Sequence, residues 1–324
     1  MDSVVTDKII EVLIKSENIA ILPHIQADGD ALGSGLALVL ALEKKNNNKK
    51  VVLYLEENIP RMYNFLPGKE KAVVYPNYLE VPETAIAIDT GDIDRLGNRA
   101  SLFKKAKTTI NIDHHLTNTS FADLNYISSS SSAVGEIVYH ILKKMNLNIS
   151  QDIATCLYVA IATDTGGFKF SNTTSITHLV TADLVSKGIN ITEISSRVFD
   201  SITIEKLRLI GFAINSLELF DCGRIAFITI TEDMIRKSGA QEEECEGIIN
   251  IAQNLVGVEI SALFREKENK IKITMRSNSE DMDVALIARK YGGGGHKRAA
   301  GCIINNKLEN AKEMILNDII NLRV

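Results

Sequence analysis

Imidazoles and carboxylates stand at four points of this chain where chemistry could be done. His24, Asp28 and Asp30 form a His-x-x-x-Asp-x-Asp cluster, and Asp89 opens Asp89-Thr90-Gly91-Asp92. Asp113, His114 and His115 are consecutive, and Asp164 precedes Thr165-Gly166-Gly167. Such a set suits a divalent ion, and residue type alone leaves Mn, Mg, Zn and Fe open. One Asp after a strand is more often a helix cap than a ligand, so no single position carries the argument. Together, six or seven His and Asp ligands exceed what one ion takes from a protein, and they fit two ions sharing one bridging carboxylate. Two ions about 3.5–4 Å apart can hold a hydroxide between them and stabilise in-line displacement at phosphorus. The chemistry implied is hydrolysis of a phosphoester or phosphoanhydride without a covalent protein intermediate.

The elements that must position these residues are legible from apolar patterning. Short apolar runs at 19–23 and 85–88 and the stretch Thr108-Thr109-Ile110-Asn111-Ile112 read as strands, and they end at His24, Asp89 and Asp113. Another strand is expected at 51–55, and a small-residue helix from Ala31. Ser128 to Ser132 reads as the entry to a helical region that runs to about Ser186, broken at 146–150 and 164–168. Strands alternating with helices predict an α/β domain with a mostly parallel sheet. The carboxyl ends of such strands converge on one crevice.

That alternation stops near Gly188. We therefore expect a first domain over 1–188, a linker and connecting helix over 189–221, and a smaller α/β domain over 222–324. Within the connection, 203–220 reads as one amphipathic helix. The last domain should hold a strand at 224–231, a helix at 242–255, and strands at 258–265 and 270–277 paired around 266–269. A short helix at 284–291 then leads into Gly292-Gly293-Gly294-Gly295-His296, followed by a strand at 300–304 and a terminal helix. Four glycines could be a linker, but these lie inside a domain. Without Cβ atoms they let backbone N–H groups approach an anion. No Gly-Lys-Ser/Thr closes the run, so it is not a Walker A loop.

The totals narrow the class. A net charge of −5 and the absence of Trp argue against a protein that coats nucleic acid by charge or stacks long single strands. Four widely spaced cysteines without a Cys-x-x-Cys pair point to reduced thiols and a cytoplasmic location. The start Met1-Asp2-Ser3 feeds no apolar segment, so no secretory signal is expected. No apolar run approaches the roughly 20 residues a membrane span needs. His140 and His178 read as packing residues.

Taken in order, these motifs resemble the DHH phosphoesterases, a family named for the triplet seen here as Asp113-His114-His115. The resemblance covers nearly the whole chain, including the family's associated C-terminal domain through Gly292 to His296 and Ala299-Ala300-Gly301. It implies two Mn²⁺ per chain, with Mg²⁺ or another divalent ion as substitutes. His24, Asp28 and Asp89 would hold the first ion, and Asp30, Asp89, His114 and Asp164 the second, with Asp89 bridging. His115 would face the substrate phosphate as a cation or donor, and Asp113 would orient the histidines. Arg276, Ser277, Gly294, Gly295 and His296 would grip a nucleotide opposite the metals, placing the active site in an interdomain cleft.

Size and domain pair resemble the stand-alone oligoribonuclease and pAp phosphatase members. The implied substrates are short RNA, linear dinucleotides such as pApA or pGpG, and pAp, cleaved to nucleoside monophosphates. Cyclic di-AMP hydrolysis is the alternative within the same chemistry. A non-catalytic nucleotide-binding protein is the alternative from another class, and the presence of every expected ligand weighs against it. A homodimer is compatible with the sequence.

Overall fold

The computed structural model describes residues 3–46, 48–76, 80–268 and 270–322. Met1 and Asp2 of the polar start, and Asn269 of the expected hairpin turn, lie outside them. The chain forms two compact units, Met1–Ser201 and Ile202–Val324.

The first unit is built on six strands: β1 Asn18–Pro23, β2 Lys50–Leu55, β3 Ala72–Val74, β4 Thr84–Ile88, β5 Thr108–Asp113 and β6 Leu124–Ile127. They lie in the order β3-β2-β1-β4-β5-β6, and every pairing is parallel. The chain first builds outward from β1 through β2 to β3, then returns to the other side of β1 and builds from β4 to β6. The gap between the ends of β1 and β4 is thus the topological switch point, where open α/β sheets bind ligands. Both faces of the central strands are covered, which is why they read as unbroken apolar runs. Ile19 and Ile21 enter one core with Leu32, Leu36 and Leu157. Ala20 and Leu22 enter the other with Leu96, Leu102 and Phe103. Each fully buried Ile or Leu contributes about 1.5–3 kcal/mol.

The helices are α1 Ser3–Lys15, α2 Gly29–Lys45, α3 Ala100–Lys105, α4 Val134–Lys144, α5 Gln151–Asp164, α6 Ser175–Val185 and α7 Ile191–Ser195. Small residues let α2, α4 and α5 approach closely. A Cβ at Gly33 of α2 would sit 2.4 Å from the Cys156 carbonyl oxygen of α5. One at Gly135 of α4 would sit 2.6 Å from the Ala160 Cβ. This contact brings the start of α2, the start of α4 and the end of α5 together, with Asp30, Val134 and Asp164 at those ends.

The second unit adds α8 Ile204–Asn215, β7 Glu218–Phe220, β8 Ile225–Ile230, α9 Glu232–Ser238, α10 Ile249–Gln253, β9 Ile260–Lys267 and β10 Lys270–Ser277. It closes with α11 Val284–Lys290, β11 Gly294–His296, β12 Ala299–Ile304 and α12 Leu308–Asn321. The sheet order is β11-β12-β10-β9-β8-β7. Only β8 and β9 pair in parallel; the other pairs are antiparallel. Alternate residues feed two cores: Ile225 and Phe227 pack with Ile287 and Ile315, and Ala226 and Ile228 with Leu209 and Ile249.

Three expectations for this region change. The helix expected over 203–220 stops at Asn215, and Glu218–Phe220 is a strand. The helix expected over 242–255 breaks into a 3-10 turn, Glu242–Cys245, and the short α10, with Gly247 between them at φ +80. The glycine run is not simply a loop, because Gly294–His296 is an edge strand joined to β12 through Lys297 and Arg298. The expected connection over 189–221 is shared, with α7 in the first unit and α8 in the second.

Candidate active site

Every candidate ligand of the first unit lies at the carboxyl end of a strand or at a helix end beside it. His24 follows β1, Asp28 and Asp30 open α2, Asp89 follows β4, Asp113 closes β5, and Asp164 ends α5. Asp28 is the N-cap of α2, accepting from the backbone N–H groups of Asp30 and Ala31 at 3.0 and 3.1 Å. Asp30 lies two residues further on, in the first turn of α2, and is 1 % exposed. Its Oδ2 accepts the Val134 N–H at 2.6 Å, and its Oδ1 accepts the Gly135 N–H and the Ser34 hydroxyl, both at 2.9 Å. It therefore caps α4, whose own N-cap, Ala133, has no side chain to do so. Asp164 lies at the carboxyl end of α5, where the helix dipole disfavours an anion, so its placement there has no helix-stabilising reason.

The groups converge. His24 Nε2 lies 3.8 Å from Asp28 Oδ1 and 3.7 Å from Asp89 Oδ2. His114 Nε2 lies 3.7 Å from Asp89 Oδ1 and 3.8 Å from Asp164 Oδ2. Three sets bring ligand atoms within 4.8 Å of one another: His24, Asp28 and Asp89; Asp30, His114 and Asp164; and Asp89, His114 and His115. Nδ1 of His24 sits 2.6 Å from the Ile25 carbonyl oxygen, and Nδ1 of His114 sits 3.3 Å from that of Ser131. A proton on each Nδ1 serves those carbonyls and leaves each Nε2 lone pair aimed at the carboxylates, the tautomer a metal requires.

The electrostatics point the same way. Asp89 is buried in the left-handed region, at φ +54, and its Oδ1 has no hydrogen-bond donor among the described residues. Burial, then the charges of Asp30, Asp28, Asp164 and Asp113, raise its pKa well above the ordinary value. Asp30 is pushed up to about 7 by burial, then by Asp164. Protein atoms alone do not balance this much buried negative charge, and a divalent cation would. The donor set therefore fits a metal, and the orphaned Asp89 oxygen is the position such an ion would satisfy. His115 differs from the other two histidines. Its Nδ1 lies 2.7 Å from Asp113 Oδ1, and this hydrogen bond raises its pKa against the opposing effect of burial. Burial works against ionisation of Asp113, but the hydrogen bonds from His115 and Asn118 carry its pKa below the usual range.

Three residues here carry no motif signal. Asn172 Nδ2 faces the Ser132 carbonyl oxygen at 2.9 Å, the Asp164 carbonyl at 3.1 Å and Asp164 Oδ2 at 3.2 Å, so it holds Asp164 in place. Arg95 Nη2 lies 3.1 Å from His24 Nδ1, but with the Nδ1 proton given to the Ile25 carbonyl both groups are donors, so Arg95 is a neighbouring cation and not a hydrogen-bond partner of the ring. Asn118 bonds Asp113. An amide or guanidinium on a polar turn is too common to stand out in a sequence.

In the second unit, Arg276 pairs with Ala299, which pairs with His296. Directly opposed residues share a face, so Arg276 and His296 project from the same side of the sheet. Ser277 faces the other way, and its hydroxyl donates to the Ser279 carbonyl at 3.1 Å. A Cβ at Gly293 would lie 2.2 Å from the Gly301 carbonyl oxygen, and one at Gly295 2.4 Å from that of Ala299. At Gly294 a Cβ would meet nothing within 4 Å, so close strand packing explains its neighbours and not Gly294 itself.

A parallel sheet with acids and imidazoles at its switch point, followed by a smaller mixed-sheet domain, is the architecture of a DHH-type phosphoesterase. Comparison with known proteins agrees: the DHH family N-terminal domain matches residues 18–161, and the DHHA1 domain matches residues 224–322. A bifunctional oligoribonuclease and PAP phosphatase NrnA of Thermus thermophilus is 30% identical over 303 residues, covering 93% of this chain and 89% of the relative. The protein of the same name from Bacillus subtilis is 26% identical, covering 87% of each. Among solved structures, an exopolyphosphatase-related protein from Bacteroides fragilis superposes with a TM-score of 0.92 at 25% identity, covering 99% of this chain and 98% of the other. RecJ of Thermus thermophilus in complex with Mn²⁺ shares the fold, with a TM-score of 0.54 at 12% identity, over 99% of this chain and 55% of that one. The chain belongs to the DHH phosphoesterase family of hydrolases. No helix among the described residues is long and apolar enough to cross a membrane.

Proposed function

We propose that this chain is a Mn²⁺-preferring phosphoesterase that hydrolyses linear dinucleotides, other very short oligoribonucleotides and pAp, releasing nucleoside monophosphates. The observation that carries this reading is Asp89, a buried carboxylate with an unsatisfied oxygen that belongs to two of the ligand sets at once. His24, Asp28 and Asp89 would hold one ion, and Asp30, Asp89, His114 and Asp164 the other. Two bound divalent ions supply the nucleophile and neutralise the charge that develops in an in-line displacement at phosphorus. The protein's own groups do the rest. His115, whose protonated form the hydrogen bond to Asp113 favours, would present its Nε2–H to a phosphate oxygen or to the leaving oxygen. Arg276 and His296 share one sheet face and bind the nucleotide's anionic groups, and the open face of Gly294 lets its backbone approach them. The names of the Thermus and Bacillus relatives support the substrate class.

The test is Mn²⁺-dependent turnover on equal amounts of pApA, a five-nucleotide RNA, pAp and cyclic di-AMP, with Asp89→Ala as control. Fast cleavage of pApA and pAp and slow cleavage of the cyclic substrate are expected. The variant should show no turnover with an unchanged circular dichroism spectrum, and residual activity above a few per cent would remove the bridging role. Preference for cyclic di-AMP would make the chain a signalling hydrolase. Silence on all four substrates would leave a nucleotide-binding protein.

A further inference from the structure

The Asp113–His115 pair is held by a residue outside every motif that carries the proposed chemistry. Asn118 lies on the loop leaving the Asp-His-His triplet. Its Nδ2 sits 2.5 Å from Asp113 Oδ2, 2.8 Å from Asn111 Oδ1 and 3.2 Å from the Thr90 carbonyl oxygen. Its Oδ1 accepts the Ser120 N–H at 2.7 Å, which fixes the end of the amide that donates. Asn111, fully buried in β5, donates in turn to the carbonyls of Thr90 at 3.1 Å and Ala87 at 3.3 Å. The Thr119 N–H reaches the Gly91 carbonyl at 3.0 Å. Residues 118–120 therefore strap the end of β5 to the loop that follows Asp89. Asp113 is fully buried; His115 bonds its Oδ1 and Asn118 its Oδ2, and the His114 backbone N–H also bonds the carboxylate. A buried carboxylate that loses one such partner incurs a desolvation penalty and loses its fixed orientation.

We propose that Asn118 is a positioning residue for phosphoester hydrolysis: by holding Oδ2 of Asp113 it fixes that carboxylate, and through Oδ1 it aims the His115 ring at the reacting phosphate. This rests on the reading in which His115 serves the substrate phosphate. The His115 side chain is 36% exposed, so packing alone does not hold the ring; its bond to Asp113 does. None of the hydrogen bonds of the Asn118 side chain reaches His24, Asp28, Asp30, Asp89, His114 or Asp164, so ion binding should be spared.

The experiment measures pApA kinetics at saturating Mn²⁺, and Mn²⁺ affinity by calorimetry on metal-stripped protein. The variants are Asn118→Ala, Asn118→Ser, His115→Ala and the double variant Asn118→Ala/His115→Ala. Asn118→Ala should lower kcat about 10- to 100-fold, the range for loss of an orienting partner, with KM and Mn²⁺ Kd within about threefold. Asn118→Ser, which keeps a hydroxyl donor on a shorter side chain, should recover part of the loss, and it carries the test if the alanine variant does not fold. In the His115→Ala background the Asn118→Ala change should cost nothing more, because residues acting through one another are not additive. Unchanged kcat, an equal loss of Mn²⁺ affinity, or multiplicative losses in the double variant would overturn the proposal. Wild-type turnover by His115→Ala alone would instead overturn the role given to His115, a failure of the functional reading and not of the strap.

Discussion

Stripping the metal should invert the usual pH dependence of stability near neutrality. In the metal-free protein, burial and Asp164 push Asp30 up to about 7 from 3.8. Between pH 5.5 and 7 the folded protein keeps this proton while the unfolded chain has released it. Stability therefore falls as pH rises, by about 1.4 kcal/mol per unit for one proton, or about 2 kcal/mol across that interval. His115 acts in the same direction. Its raised folded pKa contributes stability that is present below the unfolded value and lost as pH climbs through the folded one. Asp113, whose folded pKa is lowered, loses its contribution only in acid, outside this window. Urea unfolding of chelator-treated protein at pH 5.5 and 7.5 should show the higher-pH sample less stable by about this amount, with the lowered pKa of the partly buried His140 opposing the His115 share. Saturating Mn²⁺ should shrink the difference, because ion binding displaces the Asp30 proton and stabilises the fold. Asp30→Asn should remove the Asp30 share of the slope. Stability that is flat or rises with pH in the metal-free protein, or an Asp30→Asn variant with the full slope, would refute the picture of an acid cluster awaiting a cation.

Two further predictions concern residues that are not candidate ligands. His296→Ala should raise KM for pApA several-fold while Mn²⁺ affinity stays within about twofold, measured by initial rates and calorimetry; unchanged kinetics would remove His296 from the site. Gly33→Ala would place its Cβ 2.4 Å from a helix carbonyl and should destabilise the first unit by about 1–3 kcal/mol, as overpacking does. Because the shift separates α2 from α5, it should also weaken Mn²⁺ binding, which calorimetry on the purified variant would show.

The sequence revealed the first unit well because its central strands are buried on both faces. An unbroken apolar run ending in a polar His or Asp marks both the strand and the end that matters, as at His24 and Asp89; before Asp113 the β-branched Thr and Ile residues carry the strand signal instead. Short edge elements lack that mark. Leu124–Ile127 alternates too briefly to stand out, and Ala72–Val74 spans only one turn of the pleat. Gly247 inside an otherwise helical pattern was a break rather than a tolerated glycine, because its backbone is left-handed there. The glycine run suggested anion binding, yet two of its members are explained by strand contact alone. Asn118 and Asn172 act through hydrogen bonds to residues 5 and 8 positions away, a relation that no periodicity encodes.

The double role of Asp30 bears on how this site could change through descent. Its oxygens take two backbone N–H groups at the start of α4 and still face Asp164 and His114. Only a carboxylate has enough acceptor sites for that. An imidazole, with one lone pair, would leave the helix end bare. Exchange between carboxylate and imidazole, one route by which a lineage retunes its preferred ion, is therefore closed at position 30. Position 28 also caps a helix, but its side chain is 55% exposed, so water can take the two N–H groups an imidazole there would release, and the exchange stays open. Drift in metal preference among descendants of this chain should thus begin at the rim of the cluster and leave its floor unchanged.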